Sequence, residues 1–127
     1  MELNDVSGII VDVAIYVHRK LGPGLLESVY LHIMAFELRK RGLKVETEVP
    51  IPVVWEGIEF EIGFRADLIV NDAIIVELKS IEAVAPVHKK QLLTYLHLAD
   101  KRLGLILNFG AELMKDGIFR IVNHLSE

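Results

Sequence analysis

IEFEIGFRADLIVNDAIIVELK, residues 58–79, is the stretch on which the fold turns. Its first part alternates with period two, so that Ile58, Phe60, Ile62, Phe64, Ala66, Leu68 and Val70 line one face of a long strand over 58–70. Asp67 falls on the opposite face with Glu59, Glu61 and Arg65. AIIVELK (73–79) is short, apolar and β-branched, the pattern of a well-buried strand. Within it Glu77 and Lys79 share a face with Ile75, while Ile74, Val76 and Leu78 take the other. Two readings of Glu77 and Lys79 stand side by side: an ion pair on an exposed face, which is worth little, or part of a site.

The turn between the strands discriminates. Opposed residues of an antiparallel hairpin have a constant index sum and share a face. For Asp67 to oppose Glu77 that sum is 144, which pairs Val70 with Ile74 and leaves Asn71-Asp72-Ala73 as a three-residue loop. A two-residue loop would carry Glu77 to the far side of the sheet. The expectation is therefore the odd loop, with Arg65 opposite Lys79.

Outward from this hairpin, residues 5–20 place Val6, Ile9, Ile10, Val13 and Val17 at helical spacing, and Gly22-Pro23-Gly24 stops the helix. A second helix fits 26–41 and closes at Gly42. LKVETEV (43–49) is a half-exposed strand, and PIPVVW (50–55) an edge strand because of its prolines, with a turn at Glu56-Gly57. Pro86 opens a helix over about 86–100, and RLGLILNF (102–109) is a strand buried on both faces. LMK-DG-IFRIVN (113–123) reads as a hairpin around Asp116-Gly117. The order α-α-β-β-β-α-β-β predicts one domain over 1–127, an α/β fold with a mixed β-sheet flanked by helices.

On the second helix Glu27 lies in one stripe with Leu31, Met34 and Leu38, near the helix N-terminus. Two readings again stand open: a first-turn glutamate served by the helix dipole and water, or a carboxylate turned to the core side. If it turns inward, three carboxylates (Glu27, Asp67, Glu77) and Lys79 surround one spot. Crowded carboxylates either raise one another's pKa or take a cation. Oxygen-only ligands suit Mg²⁺ or Mn²⁺, ions that keep waters and accept phosphate. Gln91 and Tyr95, i and i+4 on the 86–100 helix, share a stripe with Val87 and Leu98 and are expected to face inward, with His88 one turn earlier. His18, His32, His97 and His124 show no ligand spacing, and Trp55 reads as packing or a subunit contact.

Composition narrows the classes. The 127 residues are 52% hydrophobic and 25% charged with no cysteine, so disulfides and thiolate metal sites are excluded. No apolar run approaches a membrane span and no signal pattern opens the chain, which reads as a cytoplasmic protein. The formal charge of −4 is not the footprint of bulk electrostatic binding to nucleic acid. Three metal-bound acids removed from the 14 − 18 count leave 14 − 15 = −1. Basic residues gather at 39–41, 88–90 and 101–102.

GLLESVY (24–30) resembles the signature of the small proteins named for their GxxExxY motif. Asp67 with Glu77-Leu78-Lys79 is similar to the core of the PD-(D/E)XK nuclease superfamily, to which that family is assigned, and Gln91-x₃-Tyr95 resembles an element of its RecB-like branch. Ala66 stands where many members have proline. The resemblance implies a restriction-endonuclease-like α-β-β-β-α-β core, here with an extra N-terminal helix and a C-terminal hairpin. It implies Glu27, Asp67 and Glu77 as Mg²⁺ (or Mn²⁺) ligands, Leu78 lending its carbonyl, and Lys79 as catalytic lysine with Gln91 and Tyr95 beside it. The expected function is hydrolysis of nucleic acid, DNA foremost, with a homo-oligomer or protein partner supplying specificity. The alternatives are an inactive assembly module of the same fold and a nucleotide phosphohydrolase, for which no P-loop glycine pattern exists.

Overall fold

The structure, a computed structural model, describes residues 1–61 and 63–125. Helices α1 (Leu3–Leu21) and α2 (Glu27–Lys40) come first, followed by strands β1 (Val45–Pro50), β2 (Val53–Trp55), β3 (Ile58–Phe60), β4 (Arg65–Val70) and β5 (Ile74–Lys79). Helix α3 (Pro86–Ala99), strand β6 (Leu103–Asn108), a 3-10 turn at Met114–Gly117 and strand β7 (Ile118–Val122) complete the chain. The main sheet has the order β1-β4-β5-β6-β7, antiparallel except for the β5–β6 pair that α3 connects. This is the expected α/β class, a mixed sheet flanked by helices.

The two faces of the sheet divide the core. Leu68, Val70, Ile74, Val76, Leu78, Leu103, Leu105 and Leu107 pack under α1 and α2 with Ile10, Val13, Met34 and Leu38. Ile69, Ile75 and Ile106 pack under α3 with Leu92, Tyr95 and Leu96. Burial on both faces is why β5 and β6 read as continuous apolar runs. Gly104 lets Leu92 pack close on the sheet, since a Cβ there would lie 2.9 Å from Leu92 Cδ2.

The decisive hairpin has the expected register, Val70↔Ile74, Ile69↔Ile75 and Leu68↔Val76. Asn71 and Asp72 take left-handed backbone (φ 51 and 55), which these two residue types tolerate best after glycine. Lys44 fastens the loop: its N–H donates to Asn71 Oδ1 at 2.9 Å and its ammonium to Asp72 Oδ2 at 2.9 Å.

Three expectations are corrected. Residues 58–70 do not form one strand: β3 ends at Phe60, Gly63 turns at φ 109, and β4 begins at Arg65. The supposed common face is thereby split, with Leu68 and Val70 under α2, Phe64 and Ala66 on the α3 side, and Ile58 and Phe60 exposed; Ile62 lies outside the described residues. Residues 50–55 are not an edge strand of the sheet, because β2 leaves it to pair with β3 in a separate ribbon. Asp116-Gly117 turns no hairpin: the two residues close the 3-10 turn Met114–Gly117, and β7 alone pairs with β6. In that ribbon Val53, Trp55, Ile58 and Phe60 share one face, and Trp55 is 66% exposed.

Candidate active site

Where the β4–β5 register runs one step beyond Leu68↔Val76, side chains take over from the ladder. Asp67 Oδ2 accepts the Leu78 backbone N–H at 2.8 Å, which fixes this carboxylate against β5. Glu77, the next residue back on β5, is buried among the α3-side core beside Asp67. Burial above all, then the Asp67 charge and side-chain hydrogen bonding with Asp67, push its carboxyl up to about 9, while the Lys79 charge acts in the opposite direction. Glu77 therefore carries a proton at neutral pH, and its Oε1 is buried with no hydrogen-bond partner. A buried polar atom without a partner is costly.

Tyr95 closes the site from α3. Its hydroxyl is pushed up by burial and by the neighbouring charges of Glu77 and Asp67, and its ring meets Phe64 edge-on at 5.0 Å. The structure thus brings together Asp67, Glu77, Lys79 and Tyr95, all of which the sequence nominates.

Two nominated residues stand apart. Gln91 is exposed, as is Val87, because the buried stripe of α3 is Leu92, Tyr95 and Leu96 rather than Val87, Gln91, Tyr95 and Leu98. Glu27 is exposed too, although Leu31, Met34 and Leu38 of its stripe are buried as expected. The reason is layering: α2 covers the sheet face opposite to the one carrying Glu77. The loop leading into α2 reaches the site's rim, where Ser80 Oγ donates to Leu25 O at 2.6 Å. Among the described residues no group of three His, Cys, Asp or Glu is placed to hold a metal ion, so the expected three-carboxylate cage is here a two-carboxylate pair. The donor set still fits a hard dication: adjacent oxygen ligands, one of them orphaned, with open positions for water and phosphate.

The histidines follow their sequence reading or find local work. His18 Nε2 lies 2.8 Å from Ala111 O in the core, and His88 Nδ1 accepts the Ala85 N–H at 2.9 Å to cap α3. His97 and His124 stack with centroids 6.0 Å apart.

Sequence reasoning missed the residues that position the site. Asn108, 2% exposed at the end of β6, clamps the segment after Lys79: its Oδ1 accepts Ile81 N–H (3.1 Å) and Gly110 N–H (3.0 Å), and its Nδ2 donates to Ile81 O (3.0 Å). Phe109 N–H donates to Lys79 O at 2.8 Å, and the Phe109 ring stacks on Tyr30 at 4.3 Å. The Tyr30 hydroxyl donates to Gly22 O (2.6 Å) and accepts Leu25 N–H (3.2 Å), pinning the loop before Glu27. The signal available for Asn108 was a lone amide closing an otherwise apolar strand.

No curated protein and no solved structure matches the chain. One family model does, that of the PD-(D/E)XK nuclease superfamily, over residues 4–121. Among the described residues no helix is long and apolar enough to cross a membrane. With nearly its whole length matched, and with an acidic pair and a lysine on adjacent strands of a mixed sheet, the chain belongs to the PD-(D/E)XK nuclease superfamily of phosphodiester hydrolases.

Proposed function

We propose that the chain is a metal-dependent nuclease of the GxxExxY group, RecB-like in its Gln91 and Tyr95 element, acting on nucleic acid and on DNA in particular. The observation that carries the reading is the buried, partnerless Glu77 Oε1 beside Asp67. Asp67 and Glu77 would hold Mg²⁺ or Mn²⁺, Leu78 lending its backbone carbonyl and Glu27 supporting the ion or its water from the rim. A bound ion would supply Lewis acidity toward a phosphate oxygen and the attacking water. Lys79 orients that water and balances the charge that grows on the phosphate oxygens, as preorganised cations do. Glu77 loses its proton when the site is loaded. Tyr95 would hold Lys79 or the backbone phosphate in place, with Gln91, exposed one turn earlier on α3, reaching the phosphate alone. The inactive-module alternative leaves Glu77 buried beside a second carboxylate at a cost with nothing in return.

The test is cleavage of single- and double-stranded DNA and RNA by the purified chain with Mg²⁺, Mn²⁺ or chelator, beside Asp67→Ala and Lys79→Ala. Cleavage that needs the metal and both side chains supports the proposal; cleavage that survives both substitutions is a contaminant's and overturns it.

A further inference from the structure

On a chain of net charge −4, one face concentrates the opposite sign. His32, Phe36, Arg39 and Lys40 of α2, with Ala35 and with Thr47 of β1, border an open groove of about 500 Å³. Phe36 is 61% exposed, and Lys40 Nζ lies 6.0 Å from the centre of its ring. Arg39 does not wave in solvent, because its Nη2 donates to Val45 O at 2.7 Å and holds the guanidinium over β1. Of the acids of α2, Glu37 stands one turn before Lys40, beside the stripe rather than within it. At about 100° per residue, Glu27 points well away from the stripe of His32, Phe36 and Arg39. Glu46 alternates to the face of β1 opposite Thr47. Charge at a helix C-terminus is often only dipole compensation, but that leaves the exposed aromatic within the basic stripe unexplained.

The stripe also has a direction. It begins at Ser28, at the end of α2 that Leu25 ties to Ser80 beside Lys79, and runs about 18 Å to Lys40. We propose that this face is a track for single-stranded nucleic acid, with a base stacked on Phe36 and phosphates met by His32, Arg39 and Lys40, leading the strand along α2 to the rim at Leu25 and Ser80, around which it reaches the acidic pair. Stacking on an aromatic and backbone contact by cations are what sequence-tolerant strand binding requires. The inference rests on the nuclease reading and names its substrate as a strand rather than a duplex.

Fluorescence anisotropy of a labelled oligothymidylate, in chelator and across a salt series, tests it. Phe36→Ala should weaken binding about tenfold, and Lys40→Gln should flatten the log–log salt slope by about 0.7. Lys115→Gln, the same charge change at an exposed position outside the track, should match the parent chain. If the track variants bind like the parent while the parent cleaves the oligomer in Mg²⁺, the track is overturned and the nuclease reading stands. If the parent neither binds nor cleaves any strand, both fall.

Discussion

Glu77 is the residue whose state governs the site. Its carboxyl moves from 4.5 to about 9 on folding, so the native chain binds a proton that the unfolded chain releases anywhere between those values. The stability this group contributes is fully present below about pH 4.5 and is lost as pH rises toward about 9. In chelator, the urea midpoint of the wild type should fall across that window more steeply than that of Glu77→Gln; parallel profiles would show that Glu77 does not titrate there. Lys79→Met should reduce cleavage about a hundredfold or more while leaving Mn²⁺ binding in place, and loss of the ion as well would make Lys79 structural. Asn108→Leu strips the clamp from Ile81 and Gly110 and leaves buried backbone groups unpaired, a cost of about 2–4 kcal/mol measurable by urea denaturation. The meeting of Asp67 with Glu77 was legible because strand alternation and one loop length determine it. The clamp by Asn108 was not, because its partner Ile81 lies 27 residues away across the α3 crossover, a juxtaposition that no local pattern encodes.

Among the elements, the β2–β3 ribbon shows how alternation misleads. Period two runs unbroken from Ile58 to Val70, yet Gly63 lets the chain leave one sheet and join another, and alternation does not say which sheet a strand enters. The ribbon's apolar face is consequently solvent-exposed at Trp55, Ile58 and Phe60. Trp55, the chain's only tryptophan, should emit at the wavelength of a water-exposed indole and be quenched freely by acrylamide. Blue-shifted, protected emission would mean that the face is covered. Helices α1 to α3 were legible to within two residues because α1 and α2 carry an apolar stripe and a glycine stop, and Pro86 marks the start of α3. The orientation of two polar residues was not: Glu27 stands at the exposed first position of α2, and Gln91 lies beside the Leu92, Tyr95 and Leu96 stripe of α3 rather than on it. Asp116-Gly117 failed as a hairpin signal for a similar reason: Gly117 packs under Asn108 O, where a Cβ would collide with it, and the requirement for glycine there comes from close approach rather than from a tight turn.

At the scale of the whole molecule, a five-stranded sheet with α1 and α2 on one side and α3 on the other brings one acidic pair to the point where β4 and β5 part. The central claim is that this pair is a cation site kept protonated until the ion arrives. Calorimetric titration of the chain with Mn²⁺ in two buffers of different ionisation enthalpy tests it without requiring turnover. About one ion should bind with release of about one proton, since a ligand must be deprotonated to bind metal, and Asp67→Asn should abolish the heat. Absence of any Mn²⁺ heat at millimolar concentration, or binding that persists unchanged in Asp67→Asn, would contradict the account.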